Sequence, residues 1–135
     1  MALFCDASCL VKFTRKQGAH IVKYAPYNYD FQSQEGFITT CAFPELSDHA
    51  DSIFVSSISH SNCFTWSFTS NYEQYSILLI THHMLAEAFL QFLTDCKRIL
   101  DTKDTNSLFD IIWNYLLSWT YNSADSILTM YTPAF

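Results

Sequence analysis

The chain has 135 residues, 50% of them hydrophobic and 17% aromatic, but only 15% charged, with a formal net charge of −6. That length suits one domain with a sheet-and-helix core of its own, and residues 1–135 are read as a single module. Ordinary domains carry about 25% charged residues, so a deficit of this size means either lavish burial of aromatics or a face that expects a partner.

The seven Lys and Arg residues are scattered, and only Lys12-Phe13-Thr14-Arg15-Lys16 forms a basic cluster. It is too small for a nucleic-acid footprint or for attachment to anionic lipid, and the acidic balance serves chiefly solubility. The five cysteines, Cys5, Cys9, Cys41, Cys63 and Cys96, form no CxxC pair, and no Asn-x-Ser/Thr site occurs. Reduced thiols in a cytoplasmic protein are therefore expected. The first residues lack the charged-then-apolar pattern of a signal peptide. The most apolar window, Tyr75 to Leu93, is interrupted by His82, His83 and Glu87, which makes it too polar for a membrane span.

In chain order, Ala2 to Phe13 is rich in strand formers, Lys12 to Ala19 reads as a turn holding Gly18, and His20 to Tyr24 is a second strand stopped by Pro26. The two runs suggest an opening hairpin. Asn28 to Glu35 is expected to form a short helix that Gly36 ends as a C-terminal cap. Phe37 to Phe43 is read as a third strand, ended at Pro44 because proline removes a ladder donor. Glu45 to Ser52 is polar and loop-like; Ile53 to Ile58 resumes strand character, with a Ser-His-Ser-Asn turn at 59–62. Phe64, Trp66 and Phe68 then share one strand face, with Thr65, Ser67 and Thr69 on the other, the period of two of a half-buried antiparallel strand.

Ile77 to Ile80 shows no alternation, so both faces of that strand are expected to be covered. Thr81 is read as the cap of the helix that follows. In it Met84, Leu85, Ala88, Phe89, Phe92, Leu93, Cys96, Ile99 and Leu100 form one apolar stripe, with Glu87, Gln91, Asp95 and Arg98 away from it. A second helix, starting near Asn106 or Ser107, is expected to bury Leu108, Ile111, Ile112, Tyr115, Leu116 and Trp119. The tail, Tyr121 to Phe135, contains Ser-Ile-Leu-Thr-Met-Tyr, a further candidate strand, and ends at Pro133-Ala134-Phe135.

Side chains able to do chemistry are sparse. His82 and His83 are adjacent, and adjacent helix positions diverge, so they cannot chelate one metal as an i, i+4 pair does. His60 and Cys63 could face each other across a turn, but no second pair completes a tetrahedral site. Asp48 and Asp51 share a polar stretch with His49; a hydrolytic or metal site is one reading, and a solvated loop needs fewer assumptions. Cys41 and Cys63 lie in expected strands and Cys96 on the helix stripe, where a free thiol behaves as a small hydrophobe. A cysteine nucleophile would need a base and an electropositive setting. With only Gly18 and Gly36 in the chain, no glycine-rich phosphate loop is available. The Phe64, Trp66 and Phe68 face has no basic flanks, so sheet core is favoured over a base-stacking platform. No catalytic, cofactor-binding or metal-ligating residue is assigned, and the chain is not expected to be an enzyme.

Ile21-Val22-Lys23-Tyr24-Ala25-Pro26, followed by Cys41-Ala42-Phe43-Pro44-Glu45, resembles the N-terminal, longin-type module of DENN domains. In that family a strand ends in a proline-containing turn and a Phe-Pro strand end follows. Phe64 to Thr69 resembles the family's next aromatic strand, Tyr75 to Leu100 its buried strand and long helix, and Leu108 to Leu117 its final short helix. Two places depart: Ser70-Asn71-Tyr72-Glu73-Gln74 replaces a glycine-containing turn, and His82-His83-Met84 replaces a proline or aromatic at the helix entry. Folliculin-like and nitrogen-permease-regulator-like longin modules share the generic pattern.

The resemblance implies an α/β, longin-like fold. It would have about five mostly antiparallel strands, one short helix between strands two and three, and two C-terminal helices packed on the sheet. It also implies a non-catalytic part of a small-GTPase regulator, such as a Rab guanine-nucleotide exchange factor in membrane traffic. Such a part needs a second, larger lobe or another longin subunit, and it reaches endomembranes through partners. An exposed apolar face and an abrupt end at Phe135 are what a detached first lobe would show. Two alternatives stand beside this reading: a homodimeric structural protein, and a thiol-dependent enzyme using Cys41 or Cys63 with His49 or His60.

Overall fold

A computed structural model describes residues 5–43, 52–58, 61–70, 72–82, 86–97 and 104–117. The elements run β1 (Ala7–Thr14), β2 (Gly18–Ala25), α1 (Phe31–Ala42), β3 (Ser52–Ile58), β4 (Ser61–Ser70), β5 (Glu73–Thr81), α2 (Ala86–Cys96) and α3 (Thr105–Leu117). The strands form one five-stranded sheet in the order β2-β1-β5-β4-β3. Every neighbouring pair is antiparallel, as the alternating β4 sequence requires. Gly18, at a φ of 69°, turns β1 into β2 through the left-handed region that costs glycine least.

β5 lies at the centre, between β1 and β4, and Ile77, Leu78, Leu79 and Ile80 are all fully buried. Its two faces feed two separate cores. Ile77 and Leu79 join Leu10, Phe64, Trp66 and Phe68 against Phe89, Phe92, Leu93 and Cys96 of α2 and Leu108, Phe109, Ile112 and Leu116 of α3. Leu78 and Ile80 join Ala7, Cys9, Val11 and Cys63 against Phe31, Ile38 and Ala42 of α1. The molecule is thus three layers, with α1 on one face of the sheet and α2 with α3 on the other. Phe89 stacks on Phe64 at 5.0 Å and Phe92 on Tyr115 at 5.4 Å, so aromatic contacts join α2 both to the sheet and to α3.

Four expectations change. Phe37 to Phe43 is not a strand: α1 runs through Gly36 to Ala42, and removing that run leaves five strands. Its β-branched residues suggested extension, but Phe31, Ile38 and Ala42 recur at helical spacing and all pack on the sheet. Tertiary burial outweighs a propensity difference of less than about 1 kcal/mol per residue. Asp30 caps the start, accepting from Ser33 N at 3.2 Å, and the Thr39 and Thr40 hydroxyls bond back to the carbonyls of Glu35 and Gly36 at 2.9 and 2.7 Å.

Thr81 is the last residue of β5 and is buried, so it belongs to the sheet; α2 is described over Ala86–Cys96. Asp95, expected on the solvent side, is buried, with Gln91 donating to its carboxylate at 3.2 Å. α3 starts one residue earlier than expected and is capped by Asp104, which accepts from Ser107 N at 2.8 Å. Within it Phe109 joins the core, while Ile111 and Tyr115 stay half-buried. Met84, Leu85, Arg98, Ile99, Leu100, Trp119 and the candidate strand in the tail lie outside the described residues.

Candidate functional site

β3 is an edge strand whose outer side pairs with no other strand among the described residues. Its sequence, Ser-Ile-Phe-Val-Ser-Ser-Ile, holds no charge, proline or glycine. Its register against β4 runs unbroken from Ser52↔Ser67 to Ile58↔Ser61. Proteins blunt exposed edges with charges, prolines or bulges, and β3 carries none of these. The other edge, β2, carries two: its register shifts between Leu10 and Val11, and its Lys23 ammonium pairs with Asp110 of α3 at 2.6 Å.

Beside the β3 edge, the C-terminal end of α1 forms one wall of a groove of about 610 Å³, lined by Thr40, Cys41, Phe43, Phe54, Val55 and Ser56. α1 is fixed there by the buried Ser76 hydroxyl, which donates to the Ala42 carbonyl at 2.7 Å and so satisfies one helix-end acceptor. Phe43 is held by an edge contact with Phe13 at 6.0 Å. One turn earlier, Phe37 lies on the same side of α1 as Thr40 and Cys41. Phe37 is 63% exposed, and Val55, which lines the groove, is 47% exposed. Among the described residues, no carboxylate, imidazole or amine lines this groove. Its chemistry is burial of apolar side chains beside a strand edge that meets no other strand among the described residues, which suits addition of an extended strand.

The residues weighed in sequence as chemical candidates are dispersed. Cys63 is fully buried and its thiol is pushed up to about 12 by burial, which leaves it protonated and unreactive at neutral pH. Cys96 is likewise buried, and burial holds its thiol well above the ordinary value. Cys41 is half-buried in the groove wall. The His82 ring stands 2.8 Å from the Asp6 carboxylate, which also accepts from the His82 backbone N at 3.0 Å; the pair ties the end of β5 to the start of β1. His49, Asp48, Asp51, His60 and His83 lie outside the described residues, so the pairings of Cys41 or Cys63 with those histidines are not on view.

No cluster of three or more His, Cys, Asp or Glu side chains suited to a metal occurs among the described residues. Phe64, Trp66 and Phe68 are buried beneath α2 and α3 and so offer no stacking platform. Lys12 pairs with Glu73 at 2.6 Å, which engages one of the three basic residues of that cluster. Sequence reasoning missed the groove because it placed Phe37 and Phe43 on a strand. The signal that was present, the uncharged run at 52–58, read as a strand without showing that it is an edge.

Among the described residues, no helix is long and apolar enough to cross a membrane. Compared with known protein families and with curated proteins, the chain matches no family model and no curated sequence.

Proposed function

We propose that the chain is a longin-like, non-catalytic interaction module whose partner adds to the β3 edge and fills the adjoining groove. The observation that carries this reading is an edge left unpaired among the described residues: seven uncharged strand residues beside an apolar groove. Such an arrangement invites main-chain pairing from another chain. The order of elements, hairpin, helix, three-stranded meander and two helices, supports the longin likeness. Likeness of fold by itself carries no function. The DENN-specific signature has less behind it, since Cys41 and Ala42 close α1 instead of ending a strand.

Within this reading the module contributes to a regulator of small GTPases in membrane traffic or signalling. A second lobe or another longin subunit completes the surface, in the cytoplasm or recruited to endomembranes by partners. Exchange would act by favouring the nucleotide-free GTPase, a shift of population with no covalent step.

Affinity capture from cytosol tests it, using the tagged chain and its Val55→Lys variant, with nucleotide state varied by EDTA or a GTP analogue. The expected result is recovery of a small GTPase or a longin- or DENN-type partner that Val55→Lys abolishes. Capture that Val55→Lys leaves intact removes the edge from the mechanism. The same bare edge favours a second reading, β3 paired with β3 in a symmetric homodimer. Recovery of the chain alone, with a dimer in sedimentation that Val55→Lys dissolves, would establish that reading instead.

A further inference from the structure

At the opposite end of α1 from the groove, a separate cleft of about 370 Å³ opens between β2 and the first turns of the helix. Three rings build its wall. Phe31 is buried and lies 4.9 Å from Tyr24 at 47° and 4.7 Å from Tyr29 at 61°. Rings tilted this steeply about a common neighbour make a concave corner instead of a flat stack. Tyr29 is fixed further by its hydroxyl, which donates to Gln34 at 2.9 Å. Tyr27 adds a fourth ring at the rim and is 89% exposed.

Among the described residues the charged lining has one sign: Asp30 and Glu35 border the cleft, and no basic residue lines it. Asp30 stays ionised because its carboxylate accepts from both the backbone and the hydroxyl of Ser33. The Glu35 carboxylate has no hydrogen bond or ion pair among the described residues. The N-terminus of α1 also faces this region, and its partial positive charge opposes a cation; the Asp30 cap offsets it.

We propose that this cleft receives an alkylated ammonium group, held over the faces of Tyr24, Tyr27, Tyr29 and Phe31 with Asp30 and Glu35 balancing its charge. Ring faces attract cations, and a quaternary ammonium has no N–H donors left to satisfy, so aromatic walls with carboxylates at the rim suit it. A bare lysine ammonium would instead need three close acceptors. A hydrated metal ion would need oxygen ligands that the aromatic wall does not supply. The volume falls in the range of small-ligand clefts, roughly 300–1,000 Å³. The chemistry has two possible sources, a free amine such as choline or a trimethylated lysine side chain. The inference is independent of the docking reading above, since it uses the other end of α1 and the other side of the sheet order.

Titration with tetramethylammonium chloride, followed by NMR of the tyrosine rings, is the test, with ammonium chloride at matched ionic strength as control. Saturable shifts of Tyr24, Tyr27 and Tyr29 are expected with tetramethylammonium only. Tyr27→Ala should weaken binding about tenfold, the equivalent of a cation–π contact of about 1.4 kcal/mol. Tyr27 is too exposed for its loss to threaten the fold, and Glu35→Gln should weaken binding while reducing its salt dependence. Choline and a peptide with trimethyllysine, each against its unmethylated counterpart, then separate the two sources. Tighter binding of the peptide assigns a protein side chain, and equal binding assigns a free amine. An unsaturable response, equal shifts with ammonium, or binding unchanged in Tyr27→Ala and Glu35→Gln together would overturn the proposal.

Discussion

Raising the pH should unfold this protein through its cysteines. Cys5, Cys9, Cys63 and Cys96 are buried, and burial is the largest cause of the rise in each thiol's pKa. Cys63 is pushed up to about 12 from an ordinary value of 9.0, and the other three are also held far above it. Because the folded values are raised, these thiols contribute their full stability below pH 9. They lose it as pH rises from 9 toward the folded values. One pH unit above 9, each thiol ionises freely only in the unfolded chain, which is favoured by about 1.4 kcal/mol per group. Four groups make about 6 kcal/mol, comparable to the whole stability of a small domain at roughly 5–15 kcal/mol.

Urea titrations at pH 7, 9 and 10, followed by tryptophan fluorescence, should therefore show a stable plateau and then a collapse. Cys96→Ala isolates the effect from tyrosines, including Tyr29, whose own raised value adds to the slope at higher pH. Whatever that substitution costs at pH 7, the fall between pH 7 and 10 should shrink by about one thiol's share, near 1.4 kcal/mol. A midpoint unchanged from pH 7 to 10 would refute the reasoning. So would more than one thiol, the half-buried Cys41, reacting with a disulfide reagent in the native protein at pH 8.

Phe89→Ala, which empties the position stacked on Phe64, should cost about 3–5 kcal/mol in a urea titration. Ser76→Ala strands the buried Ala42 carbonyl and should cost about 1–3 kcal/mol; a loss well below that would mean another donor reaches the end of α1. In acid, Asp30, Glu73 and Asp104 all have lowered values, chiefly through their hydrogen bonds to Ser33, Lys12 and Ser107. Their stabilisation is present above the ordinary carboxylate values of 3.8 and 4.5. It is lost as pH falls through the lower folded values, and Asp104→Asn should flatten that loss in melts from pH 6 to 3. Phe37→Glu, at an exposed position of α1 one turn before Thr40 and Cys41, should leave stability within about 0.5 kcal/mol while weakening partner capture.

The hairpin, the alternating β4 and the centrally buried β5 were legible in sequence because each depends on a pattern only a few residues long. Phe64, Trp66 and Phe68 announce one buried face, and Ile77 to Ile80 announce two. α1 was legible only in its first turn, where Asp30 and Ser33 make a local cap. Its second half depends on Ile38 and Ala42 meeting β1 and β5, residues distant in sequence, and nothing local outweighs the strand preference of Ile38-Thr39-Thr40. The candidate groove inherits that difficulty. Phe43 and Phe54 become neighbours only when α1 is a helix, and β3 becomes an edge only once the sheet order is known.

Among the described residues, several ionisable side chains serve the fold. Asp30 and Asp104 cap helices, Lys12 and Lys23 are paired with Glu73 and Asp110, and Asp6 clasps His82. Each of these groups is already satisfied by the fold that uses it. The β3 backbone differs, since among the described residues its outer hydrogen-bonding groups meet no strand and its side chains supply no charge to keep one away. An unpaired edge costs little while water reaches it, but beside an apolar groove it becomes the place where an added strand gains both hydrogen bonds and burial. Val55→Lys tests this point most directly, because it leaves every contact within the sheet backbone in place and adds only the charge that edge strands ordinarily carry.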